Sequence, residues 1–293
     1  MSAEVVVVGN AGVDTNVYLH APADLTHETD YPDTFDTVGQ SGGYSARAFA
    51  RLGHATAFLG YVGDDALGRY LVDELGTDGV DLSCVEVDPG GTNRSINLMA
   101  PDGTRHSFFD GKSHMTLVPP VERWARAFDG ARLAHFSIPN WGRLLLGPAR
   151  AAGCVVSVDL QDVRDLSDPY RADFVDAADV LFLSGTHLHD REAAVRALHR
   201  PGRLVVMGLG AHGCLVGSDD GITAHLPVDL PFPVVDTNGA GDSLAAGFLS
   251  SHVLLGLDLA TSVHRGQLAA RWCCTLRGTS RGLLTREGLD ALA

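Results

Sequence analysis

The stretch Val235-Asp236-Thr237-Asn238-Gly239-Ala240-Gly241-Asp242-Ser243-Leu244 places a glycine-rich turn, a carboxylate and a helix start side by side. Gly239 and Gly241 carry no side chain that would hold an anion away from the backbone. From Gly241 onward, apolar Leu244, Phe248, Leu249 and Leu255 recur at helical spacing, so the turn sits at the positive end of a helix whose first amides lack partners. A phosphate fits such a place. Asp242, held in the first turn, has the chemistry to accept the proton of an attacking hydroxyl. A plainer reading makes Asp236, Thr237 or Asn238 a helix cap and Asp242 a favourable first-turn acid. Capping explains one small residue and leaves the rest of the string unexplained.

Outward from this stretch, short apolar runs alternate with helical patterns. Val5 to Val8 is a continuous β-branched run ended by Gly9, as in a strand covered on both faces, and Leu133 to Phe136, Cys154 to Val158, Val180 to Leu183 and Leu204 to Met207 repeat the theme. Helical spacing marks Ala46 to Leu52, Ala66 to Leu75, Arg143 to Ala152, Arg191 to His199, Leu259 to Leu276 and Arg286 to Leu292. This alternation predicts one α/β domain over residues 1–293, a doubly wound, mostly parallel sheet flanked by helices. Residues 17–38 and 92–110 break the rhythm and read as an inserted β element, the second a hairpin turning at Pro101-Asp102-Gly103. Alternation puts Arg94, Ile96 and Leu98 on one face and Ser95, Asn97 and Met99 on the other. Ser95 and Asn97 would suit a hydroxylated ligand; an ordinary half-exposed hairpin fits the pattern equally well.

Composition narrows the function. The chain has 293 residues, 45% hydrophobic and 20% charged, with a formal net charge of -14, enough for a large core. That charge argues against a nucleic-acid or anionic-membrane partner. No Gly-x-x-x-x-Gly-Lys-Ser/Thr string occurs. The five cysteines, Cys84, Cys154, Cys214, Cys273 and Cys274, form no Cys-x-x-Cys pair, which points away from zinc and disulfides. The absence of a basic leader and of any membrane-length apolar run predicts a cytoplasmic protein. Gly208-Leu209-Gly210-Ala211-His212-Gly213 is formally a dinucleotide string, but the residues after it, Cys214 to Gly221, read as strand and hairpin turn instead of helix.

With these motifs in place, Asp236-Thr237-Asn238-Gly239-Ala240-Gly241-Asp242-Ser243 resembles the signature of the ribokinase, or PfkB, family of carbohydrate kinases, and the resemblance runs from Val5 to the last helix. It implies a ribokinase-like fold with a small β-sheet lid that closes over the sugar and offers a surface for a homodimer. It further implies phosphorylation by ATP, with Mg²⁺, of a primary hydroxyl of a sugar, sugar derivative or nucleoside. Asp242 would be the base, and the amides of Gly239, Ala240 and Gly241 the anion hole. Gly9 to Asp14 is similar to the family's Gly-x-x-x-x-Asp, making Asp14 a sugar ligand. Gly42-Gly43-Tyr44-Ser45-Ala46-Arg47 resembles Gly-Gly-x-x-x-Asn, making Gly42 and Gly43 substrate-binding, with Arg47 in place of Asn. Arg47 then either selects an acidic substrate or pairs with a nearby Asp or solvent. Gly60 to Gly68 matches a motif read as a turn and capped helix start. Asp159, in the segment Ser157 to Arg164, faces the cleft in such a scheme.

Toward the nucleotide, Ser184-Gly185-Thr186-His187 stands where the family has Asn-x-x-Glu, so His187 brings no carboxylate, and Asp159 and Asp162 are candidates to compensate. Ser184, Gly208, Gly210, Gly213 and Gln267 would contact the nucleotide. In potassium-activated members the positions of Asp236 and the Asn238 carbonyl, with the Arg277-Gly278-Thr279 turn, enclose K⁺. Arg47, Ser184 and His187 also motivate a rival, a ligand sensor of the same fold with weak or no transfer.

Overall fold

A computed structural model of the chain describes residues 3–21, 26, 28, 31–100 and 105–293. In chain order its elements are β1 (Val5–Val8), β2 (Gly12–Tyr18), β3 (Asp33–Gly39), α1 (Gln40–Arg51), β4 (Thr56–Val62), α2 (Ala66–Thr77), β5 (Val85–Val87), β6 (Asn93–Met99) and β7 (Arg105–Asp110). There follow α3 (Val121–Ala125), β8 (Leu133–Phe136), α4 (Arg143–Ala151), β9 (Val155–Asp162), α5 (Ala172–Ala177), β10 (Val180–Ser184), α6 (Arg191–Leu198), β11 (Leu204–Gly208), β12 (Cys214–Ser218) and β13 (Gly221–His225). Helices α7 (Ala240–Leu249), α8 (Leu259–Cys273) and α9 (Arg286–Leu292) complete the chain.

The large sheet has nine strands in the order β13-β12-β11-β10-β9-β8-β1-β4-β5. Pairing is parallel from β5 to β11 and antiparallel through β12 and β13. β1 lies inside this sheet, and its four valines have no exposed surface. Val5 and Val7 join Phe49, Phe58, Leu244 and Phe248 in the core on one face; Val6 and Val8 join Leu59, Trp124, Phe136 and Trp141 on the other. One β-branched run thereby anchors both helical layers. The chain leaves β1 for β4 on one side and later for β8 on the other, so the strand order reverses at β1. Open α/β sheets bind ligands at the carboxyl ends of strands flanking such a reversal.

A second sheet has four strands in the order β3-β2-β6-β7. Its register sets residues of one face into files. Asp14 lies beside Thr37 and Ser95, Ser95 beside Phe109, Asn16 beside Asn97, and Asn97 beside Ser107. Asp14, Asn16, Ser95 and Asn97 are buried, while Ile96 and Phe108 of the opposite face are exposed. The alternation expected for β6 is therefore present.

Three sequence expectations change. The small sheet begins at Gly12 instead of Val17, so Asp14 lies on a strand of this sheet and not at the edge of the large one. α1 begins at Gln40 instead of Ala46. Thr56 to Val62 is a fully buried strand, although the motif at its end suggests a turn. The expected hairpin turn at residues 101–103 lies outside the described residues. The capped start of α2 is present: Asp65 accepts from the Gly68 amide at 2.8 Å and also from the amide and hydroxyl of Thr92.

Candidate active site

The carboxyl ends of the large sheet, the start of α7 and the buried face of the small sheet enclose a cleft of about 1420 Å³. At its floor, Gly239 precedes α7 with φ +70°, and a Cβ there would stand 2.4 Å from the Tyr44 ring. Both the backbone angle and the neighbour demand glycine. Gly241 differs, since a Cβ would meet no atom within 4 Å. Its place in the first turn of a helix leaves its amide without an intrahelical acceptor and open to the cleft.

Asp242 follows, and Ser41 Oγ donates to its Oδ1 at 2.5 Å. Burial raises its pKa above the usual carboxylate range, the charge of Asp159 adds to this, and the Ser41 donor offsets part of it. Burial raises Asp159 as well, against one hydrogen bond from the Gln161 amide at 2.8 Å. Two raised carboxyls facing one cleft favour a shared proton or a cation between them.

Asp14 is the other buried acid of the cleft. A Cβ on Gly39 would lie 2.0 Å from its Cγ, so that strand must carry glycine for the carboxylate to fit. Burial pushes Asp14 up to about 6, with Ser95, the Gln40 amide, Arg105 and Asn97 holding it down in part. Its Oδ1 is buried without a hydrogen-bond partner. Gln40 is similarly unfinished: its backbone is left-handed with φ 62°, and its side-chain Nε2 and Oε1 are buried without partners beside the cleft. Strain together with unsatisfied polar atoms marks a place where a ligand's hydroxyls complete the bonding.

Asn16 gathers the surrounding side chains, its Oδ1 accepting from Asn97 Nδ2 at 3.0 Å and from Asn238 Nδ2 at 3.1 Å. Arg105 of β7 donates to Asn238 Oδ1. The small sheet is thus bonded directly to the turn before α7.

Not every expected residue reaches this cleft. Gly42 and Gly43 do not line it; a Cβ on Gly42 would stand 2.6 Å from the Asn10 carbonyl oxygen, and one on Gly43 2.9 Å from Val38 Cγ1. Both admit close protein neighbours where a side chain would otherwise stand. Arg47 also faces elsewhere, pairing with Asp78 and, at 3.3 Å, with Glu74 of α2. Of its two sequence readings the structure selects the second. The residues of α1 that do line the cleft are Gln40, Ser41 and Tyr44, which share a face one turn earlier. The polar pair Gln40-Ser41 was the available signal, obscured by the more conspicuous glycines.

At the far end, Ser184, Gly208, Gly210, Gly213 and Gln267 all line the cleft. Gln267 Oε1 accepts from the Val228 amide at 3.2 Å. Gly213 has φ +85°, and a Cβ there would stand 2.1 Å from the His225 carbonyl. Ser184 Oγ and Thr186 Oγ1 are 2.9 Å apart, and His187 Nδ1 lies 2.7 Å from Asp162 Oδ1. His187 therefore steadies a carboxylate of the cleft wall instead of supplying one.

The donors expected around a monovalent ion already take hydrogen bonds. Asp236 accepts from the Asn238 amide at 2.8 Å and from the Tyr18 hydroxyl at 2.6 Å, while Gly278 N donates to Tyr18 at 2.7 Å. The Cys273 thiol donates to the Asn238 carbonyl at 3.3 Å. Each of these oxygens accepts one hydrogen bond and keeps a further lone pair, so the K⁺ site of Asp236 and Asn238 stays an expectation. Among the described residues no helix is long and apolar enough to cross a membrane.

A doubly wound sheet carrying a polar second sheet over an acid-lined anion turn defines a phosphotransferase acting on an alcohol. The profile of the pfkB family carbohydrate kinase matches residues 3–137 and 157–286, and the chain belongs to that family. The Acarbose 7(IV)-phosphotransferase of Actinoplanes sp. is 32% identical over 292 residues, covering 98% of this chain and 97% of that one. The ATP-dependent ribose-1-phosphate kinase of Halopiger xanaduensis is 29% identical over 279 residues, covering 92% and 91%. Among solved structures, a microbiome-derived acarbose kinase superposes with a TM-score of 0.90 at 33% identity over 100% of this chain and 99% of its own. An Arabidopsis thaliana ribokinase shares the fold with a TM-score of 0.84 at 24% identity, covering 100% and 99%.

Proposed function

We propose that this chain transfers the γ-phosphoryl group of ATP to a primary hydroxyl of a sugar, sugar derivative or nucleoside bound against Asp14. One observation carries the reading: Asp242 and Gly241, beside whose Cα the space is open, share the first turn of α7 and line the cleft that the polar side of the small sheet covers. Asp242 takes the hydroxyl proton as the oxygen attacks phosphorus, the bond to the bridging oxygen breaks, and ADP departs. A carboxylate raised by burial is a better base near neutrality than an ordinary one. The amides of Gly239 and Gly241, with the helix dipole, would face the charge on the transferring group, and that of Ala240, which donates to the Thr237 carbonyl at 3.3 Å, would join them by turning from that bond. Asp14, Ser95, Asn97 and Gln40 orient the acceptor, and the small sheet serves as a lid.

The donor set supports Mg²⁺, because Asp159, Asp162 and Asp242 line one cleft. Asp159 and Asp162 would hold the ion through nucleotide phosphates and water, an arrangement that suits magnesium. When bound, it neutralises charge on the phosphates. Lid-to-lid dimerisation, through exposed Ile96 and Phe108, belongs to the same reading and is checked by sedimentation.

The relatives act, by their names, on acarbose and ribose 1-phosphate, so the decisive panel contains acarbose, ribose, ribose 1-phosphate, fructose and adenosine. Release of ADP with one of them supports the kinase. Thermal stabilisation by a ligand without ADP would instead establish the sensor. That rival loses one of its motives now that Arg47 is paired within the protein.

A further inference from the structure

Resting on that reading, we propose that the cleft contains a second sugar subsite one strand beyond the reacting ring, so that its preferred acceptor is a glycoside of two or more rings. The small sheet lays out the distance. Asp14, Ser95 and Phe109 form one file across β2, β6 and β7, and adjacent strands lie about 4.8 Å apart. The inner two columns are buried and polar, as befits one fully gripped ring. β7 differs: all six of its residues are exposed, yet Arg105, Ser107 and Phe109 line the same cleft. The enclosed pocket thus continues into an open shelf.

The shelf has the chemistry of a sugar contact. Phe109 is 51% exposed, and an aromatic ring kept in water inside a cleft suits the apolar C–H face of a pyranose. It is held in place. The His114 ring meets Phe109 edge-on with centroids 5.4 Å apart, and a Cβ on Gly111 would lie 2.1 Å from the His114 ring and 2.7 Å from that of Phe109. Glycine at 111 lets the two rings form one platform, and His114 Nδ1 is within 2.8 Å of the Gly111 carbonyl. Ser107 and Arg105 on the same strand face offer donors to hydroxyls. Ile138 and Tyr170 line the same cleft, joined by a bond from the Tyr170 hydroxyl to the Ile138 carbonyl at 2.7 Å. The nucleotide does not need this space, because its expected contacts, Ser184, Gly208 and Gln267, belong to other elements.

Calorimetric titration of the full chain in the presence of AMP-PNP compares D-glucose, D-fructose and D-ribose with maltose, maltotriose, sucrose and acarbose. The expected result is that at least one glycoside binds about tenfold or more tightly than every monosaccharide, a gain typical of one added aromatic contact. Phe109→Ala should reduce that ratio to near unity and Phe109→Trp should keep it, with melting curves verifying that both variants fold. The proposal is overturned if no glycoside outbinds the monosaccharides, including the case in which nothing binds, or if Phe109→Ala leaves the ratio intact. Glycoside preference without ADP release would end the kinase reading and leave the subsite standing; ADP release with monosaccharides alone would do the reverse.

Discussion

Helices α1 and α7 both carry a pair of glycines near their starts, Gly42 and Gly43 in the first and Gly239 and Gly241 in the second. Only the second leaves room for anything besides protein. A methyl at Gly42 would press on the Asn10 carbonyl, whereas one at Gly241 would meet nothing. A missing side chain serves packing at Gly42 and leaves open space at Gly241, and nothing in the letters separates the two cases. The space around the Cβ does.

The strongest way to break this contrast lies beside Gly241. Asp242→Asn should lower turnover by roughly 10²- to 10⁴-fold, the range for a positioned base, measured by steady-state ADP release at saturating acceptor. Unchanged turnover would remove Asp242 from the mechanism. The same variant has a signature in stability. A carboxyl whose folded pKa lies above its unfolded value binds more protons when folded, so its contribution to stability falls as pH rises through that interval. Asp242→Asn should therefore melt higher than the parent in alkaline buffer, the difference fading on acidification. For the parent, activity should rise with pH along a limb displaced above the ordinary carboxylate range.

The glycines sharpen the comparison directly. Gly241→Ala should reduce turnover by about 10²-fold, as expected when an added methyl shifts the transferring group from its place, while melting no lower than the parent, since alanine favours a helix by about 0.5–1 kcal/mol. Gly42→Ala should show the opposite profile, a loss of about 1–3 kcal/mol from overpacking and a smaller change in turnover per folded molecule. Equal behaviour of the two variants in denaturant titration and turnover would erase the distinction.

Weaker still is the effect expected for selectivity at Arg47. Arg47→Asn leaves Asp78 with Arg51 as its remaining cation, at 3.4 Å, so it should destabilise by about 1.5–3 kcal/mol, the worth of a lost hydrogen bond to a charged group, yet leave the ratio of neutral to acidic sugar turnover unmoved. A shift in that ratio would return Arg47 to the substrate.

Much of the large sheet was legible because its strands are covered on both faces and so read as unbroken apolar runs. Val5 to Val8 is the clearest instance. β2 was missed for the converse reason: its covered face carries Asp14, which lines the cleft, and Asn16, which bonds Asn97 and Asn238, so the usual alternation of apolar-in and polar-out is inverted. The anion turn was legible as a string, since Gly239 and Gly241 flank an acid at a helix start. Gln40 was not, because a left-handed backbone at a non-glycine residue comes from its surroundings and leaves no compositional trace. Nor was Phe109, whose meaning depends on a register across three strands.

The bonds from Tyr18 to Asp236 and to Gly278 span 218 and 260 positions of the chain. A ribosome extends the polypeptide at about 5–20 residues per second, so the second strand to emerge waits for nearly the whole polypeptide before it finds its partners. Contacts of such separation are late and slow to form. Until the turn before α7 and Gly278 have emerged, the nascent chain carries Asp14 and Asn16 without their final environment, and binding competence waits for those two segments.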